Sequence, residues 1–182
     1  MRKLAGIPNL LTVARLLLAP VVFAAILQGR HTAALALFAL AALSDGLDGL
    51  LARRLGQTTK AGAYLDPIAD KVLLSGVYIS LAIAGSLPWW LVIVIFGRDI
   101  FLLASSGIAL LFTDFRQFQP SVWGKASTFI QIACATALML QNVIHSPVLH
   151  ALAQGLVWPT AAATIWSGLH YSWRGLHFLR AH

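Results

Sequence analysis

Residues Asp45 to Lys71 read DGLDGLLARRLGQTTKAGAYLDPIADK. The chain has six acidic residues, all of them Asp, and four fall in this stretch. Asp45 and Asp48 are three residues apart, and Asp66 and Asp70 are four apart, so on helices each pair lies on one face. Four carboxylates brought together in apolar surroundings repel one another unless a divalent cation sits between them. Their oxygens suit a hard ion, Mg²⁺ or Mn²⁺.

The composition predicts a membrane protein. The chain has 182 residues, enough for a single domain over residues 1–182; 59% are hydrophobic and only 10% are charged. Its mean hydropathy of +0.80 exceeds what a soluble core requires. A net charge of +7 fits either nucleic acid or an anionic membrane surface. Because the basic residues flank apolar runs, we favour the membrane and expect no nucleic acid. Cys134 lies in such a run and is expected in the core.

Six apolar segments are each long enough to cross about 30 Å of hydrocarbon. We expect helices, because backbone groups in lipid must pair within their own segment. The predicted fold is therefore an all-α integral membrane protein with six transmembrane helices and a polar site that faces the cytoplasm. The segments are predicted at Ile7–Leu27, His31–Leu55, Gly62–Ala84, Pro88–Thr113, Ser121–Ile144 and Val148–Trp173.

The basic residues between the segments predict the orientation. With the N-terminus inside, nine Lys and Arg residues lie on the inner side and Arg30 alone lies on the outer side. Both termini and the mouth of the Asp site are then cytoplasmic. We expect a location in a bacterial inner membrane. Trp89 and Trp90 fit an outer aromatic belt, and Trp123 and Trp173 fit an inner one.

Ionisable residues within membrane segments are functional candidates, because burying an unpaired charge is costly. Asp99 has two open interpretations: an ion pair with Arg98 or Lys71, or direct contact with substrate. Arg15 follows Asn9 and Thr12 at intervals of three, which predicts one polar stripe facing inward. This stripe could snorkel to the interface or help to bind a polar head group.

Small residues are interleaved with the aspartates. Gly46, Gly49, Ala52 and Gly62 could serve helix packing, as small residues do in membranes. Next to aspartates, close approach of a ligand is the better interpretation. Arg53, at the end of the first half of the motif, is placed to hold a phosphate by charge-assisted hydrogen bonds.

This set of residues suggests transfer of a phosphate-linked group. Carboxylates hold two divalent ions, the ions hold a pyrophosphate, and Arg53 stabilises its developing charge. The acceptor must lose a proton, and a carboxylate partly free of the metals can take it. Asp70, the last of the four and followed by Lys71, is our candidate for this base.

The motif resembles the complete signature of the CDP-alcohol phosphatidyltransferases. All eight fixed positions are present at the family spacing: Asp45, Asp48, Gly49, Ala52, Arg53, Gly62, Asp66 and Asp70. The resemblance implies an integral enzyme, often a homodimer, that depends on Mg²⁺ or Mn²⁺ and uses CDP-diacylglycerol. It also implies a binuclear metal site formed by the four aspartates, with Asp70 as base.

The same resemblance places Gly49, Arg53 and Gly62 in the CDP pocket, to which we add Asn9 and Thr12. The sequences around Ile7–Arg15 and Asp66–Lys71 look like the branch that acts on glycerol-type acceptors. That branch holds phosphatidylglycerophosphate synthase and the single-signature cardiolipin synthase.

This chain differs from phosphatidylglycerophosphate synthases at two places. Those enzymes usually have Arg-Glu in segment four and Gly-Lys-x-Lys-Thr in segment five. This chain has Arg98-Asp99 and Gly124-Lys125-Ala126-Ser127-Thr128, so the second lysine is replaced by Ser127. A phosphodiester acceptor carries less charge than a phosphomonoester, so charge matching tilts the prediction to phosphatidylglycerol and cardiolipin. Glycerol 3-phosphate remains the alternative acceptor. The predicted acceptor-side residues are Lys125, Arg98 and Arg116.

Two other classes of protein compete with this interpretation. A membrane prenyltransferase also uses Asp-rich motifs with Mg²⁺, but its two motifs are far apart in sequence, whereas these lie within 26 residues. A divalent-cation transporter could use the aspartates as an intramembrane site. That alternative leaves Arg53 and the spaced glycines unexplained. His145, His150 and His170 lack metal-ligand spacing and are expected at the interface.

Overall fold

The computed structural model describes residues 7–55, 60–112 and 122–180, and the side chains of residues 12–44, 68–105 and 122–173. The described part of the chain forms six helices, which confirms the predicted all-α class. They are α1 (Ile7–Leu27), α2 (His31–Leu55), α3 (Lys60–Ile83), α4 (Trp89–Phe112), α5 (Val122–Val143) and α6 (Pro147–Arg180). The bounds of α1 and α2 match the predicted first and second segments, and α6 continues beyond the predicted end at Trp173.

Helices α1 and α3 end in the same way. Gly29 and Gly85 have φ of 69° and 75°, a left-handed conformation that costs glycine little. The Arg30 amide donates to the Ala25 carbonyl at 2.9 Å, and the Ser86 amide donates to Leu81 at 2.9 Å. These are Schellman motifs, which satisfy carbonyls that a helix end leaves unpaired. The interruptions predicted between the first and second segments and between the third and fourth segments are therefore confirmed.

The chain divides into two compact units. The first comprises Met1–Ser86 with Asn142–Ile144, and the second comprises Leu87–Gln141 with His145–His182. In the first unit, α1 packs against both α2 and α3. Its core combines small residues of α1 with larger residues of α3, including Val77, Tyr78 and Leu81.

Helices α1 and α3 are in contact at Gly76. A Cβ atom there would overlap the ring of Phe23, so the glycine makes room for the aromatic side chain. Arg15 and Asp70 form a second contact between the same two helices. Because both contacts occur in the same order along the two helices, α1 and α3 run parallel.

The second unit is held together by contacts of α6 with α4 and α5. Trp90 and Trp158 join α4 to α6 with ring centroids 5.5 Å apart. Trp123 and Trp166 join α5 to α6 with centroids 6.0 Å apart in an edge-to-face arrangement. Cys134 is fully buried on α5, as expected.

Among the described residues, two helical stretches are long and apolar enough to cross a membrane: Val122–Val143 and Pro147–Trp173. Shorter apolar stretches cover Thr12–Leu27 and His31–Ser44. Large apolar side chains are exposed in both units, among them Leu17 at 68%, Phe129 at 73% and Trp158 at 72%. So much exposed apolar surface is suited to lipid.

Candidate active site

An ion pair joins α1 to α3 in the first unit. Arg15 Nη1 donates a hydrogen bond to Asp70 Oδ1 at 2.6 Å. The Arg15 side chain is 1% exposed, whereas that of Asp70 is 46% exposed. The arginine therefore holds the carboxylate from the interior of the unit. A charge-assisted bond of this length is among the stronger hydrogen bonds of proteins.

The polar stripe of α1 faces inward, as predicted. Thr12 and Arg15 are 3% and 2% exposed, and both lie on the buried face of the helix. The Arg15 guanidinium is buried against Asp70, which favours the inward-facing interpretation of this residue over snorkelling. Asn9 lies in α1 but outside the described side chains.

Both halves of the signature are helical. Asp45, Asp48, Gly49 and Arg53 lie in α2, and Gly62, Asp66 and Asp70 lie in α3. The helical spacing that we assumed for each Asp pair is therefore confirmed. Of the four aspartates, Asp70 has a described side chain; no group of three metal-binding side chains is found among the side chains that are described.

The second unit contains an ion pair of its own. Arg98 Nη1 donates to Asp99 Oδ1 at 2.9 Å, and its Nη2 donates to the Ser167 hydroxyl at 2.7 Å. The side chains of Arg98 and Asp99 are 8% and 12% exposed. Asp99 therefore pairs with Arg98, the first of the two predicted partners. Arg98, a predicted acceptor-side residue, is held within the unit by α4 and α6.

A buried hydrogen-bond network on α5 and α6 was not predicted. The Thr164 hydroxyl donates to the Thr160 carbonyl at 2.7 Å, which uses its one proton. It therefore accepts from Gln131 Nε2 at 3.0 Å and from the Ser127 hydroxyl at 3.4 Å. Ser127 is 1% exposed, and Gln131 and Thr164 are fully buried. The residue singled out for acceptor choice thus belongs to a structural network.

Ser127 also lines an apolar groove of about 360 Å³ on α5 and α6. Lys125 is exposed two residues earlier on α5. Arg116, the third predicted acceptor-side residue, lies outside the described residues. His145 and His150 are exposed, and the ring of His170 lies 6.4 Å from that of Trp173.

The sequence of the chain is similar to that of a known family of enzymes. A profile of the CDP-alcohol phosphatidyltransferases matches residues 5–166. The chain belongs to this family of enzymes, whose members use divalent metal ions. Family membership and the apolar helices together identify a membrane protein.

Three proteins of similar sequence are named for two different activities. A probable phosphatidylglycerophosphate synthase of Mycobacterium tuberculosis (strain H37Rv) is 36% identical over 96% of this chain and 83% of its own length. A probable cardiolipin synthase (CMP-forming) of Drosophila melanogaster is 34% identical over 91% of this chain and 56% of its own length. The CDP-diacylglycerol--glycerol-3-phosphate 3-phosphatidyltransferase of Bacillus subtilis is 32% identical over 94% of this chain and 97% of its own length.

Proposed function

We propose that this enzyme transfers the phosphatidyl group of CDP-diacylglycerol to a glycerol-type acceptor, with phosphatidylglycerol as the preferred acceptor and cardiolipin and CMP as products. The observation that carries the chemistry is Asp70. Its carboxylate is held by a buried arginine on one side and is half-exposed on the other, within the signature of the family. That arrangement suits a group that must meet a substrate.

In the proposed reaction, the acceptor hydroxyl oxygen forms a bond to the phosphatidyl phosphorus. The bond from that phosphorus to the bridging oxygen of the pyrophosphate breaks, and CMP leaves with the bridging oxygen and its electron pair. Asp70 takes the proton of the acceptor hydroxyl as general base. Its 46% exposure supports this role, because the carboxylate is accessible from outside the helix bundle of its unit.

Two Mg²⁺ or Mn²⁺ ions would be held by Asp45, Asp48, Asp66 and Asp70. The donor set fits such ions, because carboxylate oxygens are the ligands that hard cations prefer, and the described member, Asp70, combines an accessible carboxylate with a fixed position. When bound, the ions neutralise the charge of the pyrophosphate and of the leaving CMP.

The CDP moiety would lie on α1, α2 and the start of α3. Gly49 and Gly62 allow its close approach, and Arg53 holds a phosphate. Asn9 and Thr12 complete the proposed pocket. The position of Thr12 supports this pocket, because its side chain lies on the same buried face of α1 as Arg15.

The choice of acceptor rests on position 127. Ser127 is uncharged, and its hydroxyl is engaged with Thr164. A phosphodiester acceptor such as phosphatidylglycerol carries less negative charge than glycerol 3-phosphate, so it needs fewer cations around it. The proposed acceptor-side cations are Lys125, Arg98 and Arg116. In a complex with phosphatidylglycerol they would bind the single negative charge of its phosphodiester.

Glycerol 3-phosphate is the second candidate acceptor, with phosphatidylglycerophosphate as the product. It is favoured by the Bacillus subtilis relative, which matches this chain over nearly its whole length and is named for that activity. Relatives named for either activity are similar to this chain at comparable identity.

We further propose that residues 1–182 form one membrane domain with six spans. Support comes from the match of the family profile across residues 5–166, which includes parts of both compact units. The basic residues favour cytoplasmic termini and a cytoplasmic active site, in a bacterial inner membrane. A homodimer is the proposed assembly by family resemblance.

The acceptor is tested by measuring CMP release from purified protein in detergent. CDP-diacylglycerol and Mn²⁺ or Mg²⁺ are supplied with either phosphatidylglycerol or glycerol 3-phosphate. We expect release with phosphatidylglycerol to exceed release with glycerol 3-phosphate. The reverse order would establish the second candidate, and isotopic Mn²⁺ flux into liposomes without CMP release would indicate a transporter.

A further inference from the structure

The unusual feature of the Arg15–Asp70 pair is its asymmetry. Arg15 is almost fully buried, and its partner lies 55 residues away on another helix. A buried cation is costly unless it is held by an anion and hydrogen bonds. The bond to Asp70 therefore helps to stabilise the buried Arg15, while about half of the Asp70 side chain remains accessible.

The bond engages one defined atom of the carboxylate, Oδ1. A guanidinium at 2.6 Å from this oxygen competes with a divalent ion for it, because both are cations and the distance is already that of a direct contact. The helix contact at Gly76 and Phe23 fixes α1 against α3, so the arginine cannot easily move away with its helix.

We infer that Arg15 is a positioning residue. Its hydrogen bond to Asp70 Oδ1 prevents the metal ions from coordinating both oxygens of this carboxylate. This inference rests on the proposed function, in which Asp70 both binds metal and takes the acceptor proton. Asp70 can then serve both roles, because Arg15 limits how strongly the metals hold it.

The inference predicts two effects of opposite sign for Arg15→Gln. Mn²⁺ binds at least about fivefold more tightly, because one like charge is removed from the neighbourhood of the ion. Turnover falls by about 10- to 100-fold, the usual cost of losing a residue that orients a metal ligand. A residue that merely supports the fold would weaken both metal binding and turnover.

Arg15→Lys provides the conservative variant. Lysine keeps the positive charge but replaces the planar guanidinium by a compact ammonium. We expect Mn²⁺ affinity within about twofold of the wild type and turnover between those of the wild type and Arg15→Gln, because charge is retained and orientation is lost.

The experiment measures Mn²⁺ binding by electron paramagnetic resonance on purified wild-type, Arg15→Gln and Arg15→Lys protein in detergent, together with kcat for CMP release. Size-exclusion elution and thermal unfolding report on folding. Tighter Mn²⁺ binding with lower kcat in Arg15→Gln is the expected result. Equal or weaker Mn²⁺ binding in folded Arg15→Gln would overturn the inference, and if this variant does not fold, wild-type turnover in Arg15→Lys would overturn it.

Mn²⁺ binding is measured without any acceptor, so the two proposals can fail separately. If wild-type protein binds Mn²⁺ but releases no CMP with any glycerol-type acceptor, the proposed function fails. The Mn²⁺ affinity of Arg15→Gln relative to the wild type still decides whether Arg15 limits the hold of the metals on Asp70.

Discussion

The ring of Phe23 on α1 occupies the space that a side chain at position 76 on α3 would need, so Gly76 allows the two helices to pack against each other there. The same two helices carry Arg15 and Asp70, whose side chains meet at 2.6 Å. A packing contact between small and aromatic residues therefore supports the geometry of the candidate catalytic residue. In membranes, such close approach at a small residue is a common basis of helix association.

Gly76→Ala should lower stability by about 1–3 kcal/mol, because the added methyl group forces the Phe23 ring from its place. Thermal unfolding in detergent measures the effect. Gly155→Ala is the matched control, since nothing lies within 4 Å of a Cβ there and the helix gains from alanine. A melting temperature for Gly76→Ala equal to that of Gly155→Ala would contradict the account.

Thr164→Val should destabilise the second unit by about 1–3 kcal/mol, because it removes the oxygen that accepts from both Ser127 and Gln131. The side chain keeps its shape, so packing changes little. Thr136→Val is the control: its hydroxyl is seen to bond only the Ile132 carbonyl of its own helix, and we expect a change below about 0.5 kcal/mol. Similar melting temperatures for the two variants would show that the network adds no stability.

Ser127→Lys should raise the ratio of activity with glycerol 3-phosphate to activity with phosphatidylglycerol, because it adds a cation for a more highly charged acceptor. The variant also loses the bond to Thr164, so the ratio, and not the total rate, is the proper measure. Thr128→Lys adds the same charge at the next position of α5. No increase in the ratio, or an equal increase in Thr128→Lys, would remove the physical basis of the acceptor assignment.

Asp99→Asn distinguishes the two interpretations of Asp99. An amide oxygen can still accept from Arg98, so a structural role predicts a loss of kcat below about tenfold. A group that contacts the reacting atoms would cost about 10²-fold or more. CMP release at saturating substrates measures the difference. We expect the smaller loss, and the larger one would return Asp99 to the list of catalytic candidates.

The helices and the inward polar stripe could be predicted because they depend on local patterns. The length of the apolar segments predicted the extent of α1 and α2, and the spacing of Thr12 and Arg15 predicted the buried face of α1. The bond between Arg15 and Asp70 could not be predicted, because it joins residues that are 55 positions apart and depends on how two helices pack.

The sequence contains a pattern that indicates the hydrogen-bond network around Ser127. Ser127 and Gln131 are four residues apart in a largely apolar helix, and Thr160 and Thr164 repeat that spacing in the next helix. Two polar stripes at helical spacing indicate that the helices bond to each other in a membrane. The exact partners still depend on the rotation of each helix, which local pattern does not determine.

The most direct test of the central claim compares metal-dependent CMP release by the wild type, Asp70→Asn and Asp114→Asn, with CDP-diacylglycerol and phosphatidylglycerol as substrates. Asp114→Asn removes the same charge outside the signature and serves as the control. We predict Mn²⁺- or Mg²⁺-dependent release by the wild type and Asp114→Asn, and a loss of at least about 10²-fold in Asp70→Asn, as expected for a general base. Undiminished release by folded Asp70→Asn would contradict the account.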